Sequence, residues 1–363
     1  MNESNECAFN SGFEALLEAA EERSVRDYFF FDIPSNRRPW FDTGMDLDAG
    51  DRLTSFATGQ TKLEGTPIRL EPNFQLWFRI GRQGRIFRGT RDSHSFSVER
   101  SGRLYLASYF PGEWASHTGD LATPDDVYDL ATGNLSVLLV RWRTDALAGL
   151  KKLIGHGDIN GLIANEIDRI TAPVRTPHGW NYHWFIGPAE IYQACESSER
   201  ESAICCHTDN DCAILQKPVA LAFKPNTRLR WSWKIDQLPS SVREDSFPTH
   251  DYLSIAVEFD NGQDITYYWS AELPPETVFR CPIPTWTARE THVVIRSGTN
   301  GLGEWLNEER DVYQDYLDAI GGPPPAAIVK VWLIAVSLFQ RHQGQCQYSD
   351  IKFSTDDEAV SVL

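Results

Sequence analysis

Residues 229–270 decide the fold: LRWSWKID (229–236), then after a loop HDYLSIAVEFDNGQDITYYWS (250–270). Leu229, Trp231 and Trp233 alternate with Arg230, Ser232 and Lys234, a period-two pattern that gives a strand one apolar and one wet face. A second run, 252–259, leads through Asp260-Asn261-Gly262 into a third, 265–269. Asn-Gly between two strand-like runs is the strongest short-range hairpin signal, because a type I′ turn needs positive φ at both central residues. The C-terminal half is therefore predicted to be built on an antiparallel sheet.

Working outward, 363 residues exceed what a single core usually serves, so two domains are expected. The sequence reads as two jelly-roll or galactose-binding-like β-sandwiches: 1–144 with an N-terminal helix, a helical linker over 145–175, and 176–363 with one inserted helix. The N-terminal helix is predicted over 10–28, capped by Asn10 or Ser11, with Phe13, Leu16, Leu17 and Ala20 on one face. In the linker, Leu147, Leu150, Leu153, Ile154, Leu162, Ile163, Ile167 and Ile170 follow helical spacing between Asp145 and Pro173. A further helix is read over 303–320, stopped by Gly321-Gly322. The hairpin pattern and the scarcity of helical segments exclude a parallel sheet alternating with helices.

A net charge of −17 would repel a nucleic-acid backbone or an anionic membrane, so neither is an expected partner. The first residues, MNESNECAFN, lack the basic and apolar regions of a secretory signal. Seven cysteines, an odd number, then predict reduced thiols in a cytoplasmic setting. Oligomeric state is left open.

Two stretches carry family resemblances. Pro39-Trp40-Phe41-Asp42-Thr43-Gly44, Ala49-Gly50-Asp51, Ala57-Thr58-Gly59, Arg79-Ile80-Gly81 and 102–106 before Pro111-Gly112 resemble the galactose-binding lectins of the PA-IL type over about 40–142. The resemblance implies a sugar site built on Ca²⁺, but the family's ligand positions fall here on Tyr109, Glu113, Ser116, His117 and Leu63. Ca²⁺ needs six to eight oxygens, which that set does not supply. Asp120, Asp125, Asp126 and Asp129 could offer others or simply form an acidic surface loop.

Further on, Trp231-x-Trp233, His250-Asp251-Tyr252, Tyr268-Trp269, Arg296-Ser297-Gly298, Gly303-x-Trp305, 309–312, Pro323-Pro324-Pro325 and 348–351 resemble an uncharacterised, mostly bacterial domain-of-unknown-function family over about 215–353. The resemblance implies a jelly roll of carbohydrate-binding-module type and no reaction. His250 stands where the resemblance implies an acidic residue.

The residues themselves offer several constellations. His250 beside Asp251 could supply a general base, or only close a loop; neighbours on a strand face opposite ways. Glu304, Glu308, Glu309, Asp311 and Asp315 would share a helix as paired carboxylates or as a solvated face. Cys205, Cys206, His207 and Cys212, with Cys195, lack the spacer of structural zinc sites and read as reduced thiols. Trp180, Tyr182, His183 and Trp184 could line a crevice between domains or pack a core. Walker, dinucleotide, nucleophile-elbow and zincin motifs are absent.

The reading carried forward is an enzyme of the lyase, dehydratase, isomerase or cyclase type, using no cofactor and no metal, on an apolar or glycosylated metabolite. Its catalytic residues would be His183, His250 and Asp251, and its binding residues Trp180, Tyr182, Trp184, Tyr268 and Trp269. The alternative is a non-catalytic carbohydrate-binding protein.

Overall fold

The computed structural model describes residues 3–19, 24–38, 40–109, 114–197, 199–246 and 250–363. The chain divides into two compact units, 1–174 with 184–188, and 175–183 with 189–363. Both are β-sandwiches. Among the described residues no helix is long and apolar enough to cross a membrane.

In the first unit one sheet runs Val25–Pro34, Ala131–Trp142, Arg52–Leu63, Arg69–Leu70, with Ser93–Ser97 also paired to Arg52–Leu63. The other runs Phe41–Leu47, Gly102–Ser108, Leu76–Ile80, Ile86–Arg88. The strand Ala131–Trp142 explains the layering. Its Leu135, Val137 and Leu139 face the second sheet with Phe78, Leu104 and Leu106. Its Leu138, Val140 and Trp142 face the helices, where Phe9, Phe13, Leu150, Leu153 and Ile163 cover them. A strand apolar on both faces needs a layer on each side, so the helical stretch after residue 145 packs into this unit's core.

The N-terminal helix is Glu3–Ala19, earlier than the expected 10–28, because Phe9 extends the apolar face of Phe13, Leu16 and Leu17 by a turn. The aromatic run Tyr28-Phe29-Phe30-Phe31 goes instead into the strand Val25–Pro34, as bulky aromatics favour.

The second unit packs a seven-stranded sheet, in the order Asn181–Tyr182, Cys212–Ala222, Ala327–Val336, Tyr252–Phe259, Asp264–Ser270, Glu290–Ser297, Val278–Arg280, on a six-stranded one. The latter runs Tyr192–Ser197, Arg200–Asp209, Gln343–Ser354, Arg228–Gln237, Leu306–Asp311, with Ala359–Ser361 beside Gln343–Ser354. Leu229, Trp231, Trp233 and Ile235 fill the space between the sheets against Ile255, Val257, Tyr267 and Trp269, as the alternation predicts. The indoles of Trp231 and Trp233 meet edge to face at 5.6 Å.

The hairpin forms where predicted, with Glu258 opposite Asp264. Its turn differs. Of Asp260, Asn261 and Gly262, only Gly262 has positive φ, at 78°, and its N–H donates to Phe259 O at 3.0 Å. This is the three-residue loop ending in a left-handed glycine, not the two-residue type I′ turn. Asn261 keeps ordinary φ and uses Oδ1 to accept from Gln263 N at 3.1 Å. One pairing in this sheet, Asp264–Ser270 with Glu290–Ser297, is parallel. The connection between the two strands crosses the sheet's outer face, where Trp286 reaches Trp332.

Residues 303–320 are not one helix. Leu306–Asp311 pairs with Arg228–Gln237 as an edge strand, and the helix is only Val312–Ala319. Asp311 decides this: its Oδ1 accepts from Gln314 N at 3.1 Å, and an N-cap cannot lie inside the helix it starts. Glu304, Glu308 and Glu309 therefore share no helical face.

Cys195 and Cys205 form a disulfide, which corrects the expected reduced state for these two; Cys7, Cys206, Cys212, Cys281 and Cys346 are free. The hairpin of Tyr192–Ser197 with Arg200–Asp209 brings their Cα atoms to 5.8 Å, within bridging range. Given a sequence separation of 10, Cys195→Ser should lower stability by about 2–3 kcal/mol in urea unfolding. A loss below about 0.5 kcal/mol would show that the strand pairing alone holds this hairpin.

Candidate functional site

Alternation along Arg228–Gln237 that buries the tryptophans turns Arg230 and Ser232 to the outer face of the six-stranded sheet. On the neighbouring edge strand Asn307 and Glu309 point the same way, with Trp305 two residues before Asn307. On the other side Gln343–Ser354 carries a bulge. Arg230 pairs with Lys352 and Ser232 with Ser349, so Asp350 and Ile351 together oppose Trp231. Asp350 sits at φ 53°, a left-handed position that aspartate tolerates better than most residues. Bulges of this kind re-aim side chains. Arg230, Ser232, Asn307, Glu308, Glu309, Asp350 and Lys352 line a groove of about 400 Å³.

A hydrogen-bonded network fixes the groove. Arg200 donates from Nη1 to Asp350 Oδ2 at 2.7 Å and from Nη2 to Asn307 Oδ1 at 3.1 Å. Ser232 Oγ lies 2.8 Å from the same Asn307 oxygen and 3.1 Å from Asp350 Oδ2, and its one proton serves either. Because Arg200 donates to Oδ1, the Asn307 amide is held with its NH₂ turned away from that guanidinium. Arg200 also lies over the Trp305 ring, 5.0 Å from its centroid.

Arg230 Nε donates to Glu309 Oε2 at 2.6 Å. That hydrogen bond first, then the charges of Arg230 and Arg228, hold the Glu309 carboxyl below the usual range. Glu308 instead accepts from Trp233 Nε1 at 3.0 Å and pairs with Arg296, which ties the groove floor to the core. The groove lining thus carries the cations Arg230 and Lys352 and the anions Glu308, Glu309 and Asp350, with Arg200 paired to Asp350 behind them.

The residues singled out for catalysis and binding lie elsewhere. Trp180, Tyr268 and Trp269 are buried in the second unit. Tyr182 is half-buried, its hydroxyl accepting from Tyr192 N. Trp184 belongs to the first unit, where its ring meets that of His117 at a tilt of 37°, centroids 4.0 Å apart.

His183 is buried 5.5 Å from Trp332, and desolvation, with the charges of Lys330 and Arg289, pushes its pKa down to about 3. His250 is buried as well, and desolvation lowers its pKa to about 4. Asp251 accepts from Phe339 N at 3.1 Å and Gln340 N at 2.7 Å, and desolvation pushes it up to about 7. His250 and Tyr268 share one buried aromatic cluster through Tyr252, while Asp251 bonds away from it. Trp305, Asn307 and Arg200 were missed; the signal for them was the Trp-x-Asn-x-Glu alternation at 305–309, hidden by reading a helix there.

Other metal-ligand candidates have protein partners. Cys205 is in the disulfide. Arg38 pairs with both Asp125 and Asp129, and Asp120 accepts from Ser116 Oγ at 2.7 Å. Tyr109 and Leu63 are buried, and Glu113 lies outside the described residues.

Residues 178–352 match a family described as "Protein of unknown function (DUF3047)". That stretch covers the whole groove, and the family carries no reaction with it. No curated protein matches the chain. Among solved structures, the EclA N-terminal domain, a PllA-like lectin, aligns over 33% of this chain and 99% of its own at 19% identity, TM-score 0.25. The xyloglucanase domain of NopAA from Sinorhizobium fredii, in complex with cellobiose, aligns over 52% and 96% at 9% identity, TM-score 0.30. The family 30 carbohydrate-binding module of the Clostridium thermocellum cellulosomal cellulase Cel9D-Cel44B aligns over 51% and 96% at 9% identity, TM-score 0.28. These likenesses carry no inference about ligand or activity.

Proposed function

We propose that the second unit binds a neutral carbohydrate in the groove on the outer face of its six-stranded sheet, without chemical conversion. The observation that carries this reading is the Arg200–Asn307–Ser232–Asp350 network beside Trp305. A sugar ring offers adjacent hydroxyls, each both donor and acceptor, and an apolar face of C–H groups. Asn307 NH₂ and Lys352 supply donors and Asp350 and Glu309 supply acceptors, while the half-buried Trp305 backs the network through the Arg200 that lies on its ring. Fixing these groups in advance lowers the ordering cost of binding.

The enzyme reading draws less support, since His183, His250 and Asp251 are buried and do not line this groove. The experiment is a glycan array probed with the full chain and with Asn307→Ala. Binding to neutral oligosaccharides that the variant loses supports the proposal. Silence of the wild-type chain across the array would overturn it.

A further inference from the structure

The outer face of the seven-stranded sheet holds a buried polar cluster that the groove does not use. His250, Cys281, Glu290 and His292 are each at most 2% exposed, and they come from three places: the residue before Asp251, the crossing connection, and the strand Glu290–Ser297. Glu290 and His292 are two residues apart on that strand and so share a face. One ligand atom each from His250, Cys281 and Glu290 lies within 4.8 Å of the others.

Hydrogen bonds aim these atoms inward. His250 Nδ1 lies 3.2 Å from the Glu244 carbonyl, which can only accept, so Nδ1 carries the proton and Nε2 presents a lone pair. That lone pair faces Cys281 Sγ at 3.5 Å. Glu290 Oε1 accepts from Tyr252 OH at 3.0 Å, with Thr266 Oγ1 at 3.2 Å. His292 is the anomaly. Its Nε2 is 3.4 Å from Glu290 Oε1, yet neither ring nitrogen makes a hydrogen bond although both are buried. A buried imidazole with both nitrogens unsatisfied is costly and calls for a missing partner.

We propose that this cluster is a structural zinc site, with His250 Nε2, Cys281 Sγ and a carboxylate oxygen of Glu290 as its protein ligands. A tetrahedral zinc ion at ordinary bond lengths separates its ligand atoms by about 3.3–3.6 Å. The edge between His250 Nε2 and Cys281 Sγ, 3.5 Å, already has that length. Thiolate, carboxylate and Zn²⁺ sum to zero charge, which suits burial. Outer partners of the usual kind are in place, a backbone carbonyl on the ligating imidazole and a phenol on the ligating carboxylate. With its three ligands all buried, the ion would pin the crossing connection to the sheet rather than act on a substrate.

The test uses untagged full-length chain produced in zinc-supplemented medium and dialysed, with metal content measured, and the same chain refolded with Co²⁺. Expected are one zinc per chain and a thiolate-to-cobalt charge-transfer band in the near ultraviolet. Cys281→Ser should lose the band, whereas Cys212→Ser should keep it. EDTA should lower the thermal midpoint of the wild-type protein, as removal of a native-state ligand does. A folded wild-type chain with no zinc and no band overturns the proposal. So does a band that survives Cys281→Ser or disappears with Cys212→Ser. Should Cys281→Ser fail to fold, the wild-type metal content and cobalt spectrum decide by themselves.

Discussion

Glu166→Ala should destabilise the first unit by about 3–5 kcal/mol, the range for removing one partner of a buried charged pair. Glu166 is fully buried on the helix Leu162–Thr171. It accepts from Ser95 N at 2.6 Å and Ser93 Oγ at 3.0 Å, and from Arg169 Nη2 at 2.6 Å. One carboxylate thus fastens the helix to the edge strand Ser93–Ser97, and its loss strands a backbone donor and a cation together. Native-state hydrogen exchange at Ser95 reads this directly. A drop in protection worth less than about 1 kcal/mol would contradict it.

The same group sets a pH dependence. Burial alone would raise the Glu166 pKa, but the Arg169 hydrogen bond and charge, with the Ser95 bond, outweigh it and hold the pKa below the ordinary carboxylate value. A depressed folded pKa gives stability that is present above about pH 4.3 and is lost as pH falls through the folded value. His94, facing the same cluster, acts in the same direction: desolvation first and then the Arg169 charge lower its pKa to about 4. Its contribution therefore fades from about pH 6.5 downward. In the Glu166→Ala protein the first component disappears, so the acid limb of the stability curve should flatten.

Trp233→Ala should cost about 3–5 kcal/mol in the second unit, as large-to-small changes at fully packed aromatics do. Trp233 is completely buried, 5.6 Å from Trp231 and 5.9 Å from Trp269, and its Nε1 holds Glu308. The variant would leave both a cavity and a carboxylate short of a donor. Because the same strand turns Arg230 and Ser232 into the groove, sugar binding should weaken together with stability. Chemical denaturation followed by far-ultraviolet circular dichroism measures the first effect. A midpoint shift matching a loss of under about 1.5 kcal/mol would mean the core closes over the gap.

What could be read from the sequence follows from which signals are local. The alternation at 229–235 and the Asp260-Asn261-Gly262 turn located the central strands because period and turn chemistry are written in adjacent residues. The 303–320 stretch misled because Trp305, Val312 and Tyr316 fit a helical face, while the pairing of Leu306–Asp311 with Arg228–Gln237 is long-range and leaves no local mark. The Cys195–Cys205 bridge likewise depends on hairpin register. Histidines, tyrosines and tryptophans drew attention for their chemistry, but Trp180, His183, His250, Tyr268 and Trp269 are buried. The groove is formed instead by ordinary polar residues that only the folded sheet and its bulge at Asp350 bring side by side.

The central claim, that the outer face of the six-stranded sheet holds sugar, is tested most directly by calorimetric titration of the best array glycan into wild-type, Trp305→Ala and Asn307→Ala chains of matched circular dichroism. Both positions are mostly outside the core, so the variants should stay folded. Each should bind at least about tenfold more weakly than wild type, as residues that anchor an interface do. Equal affinity in all three chains would contradict the account.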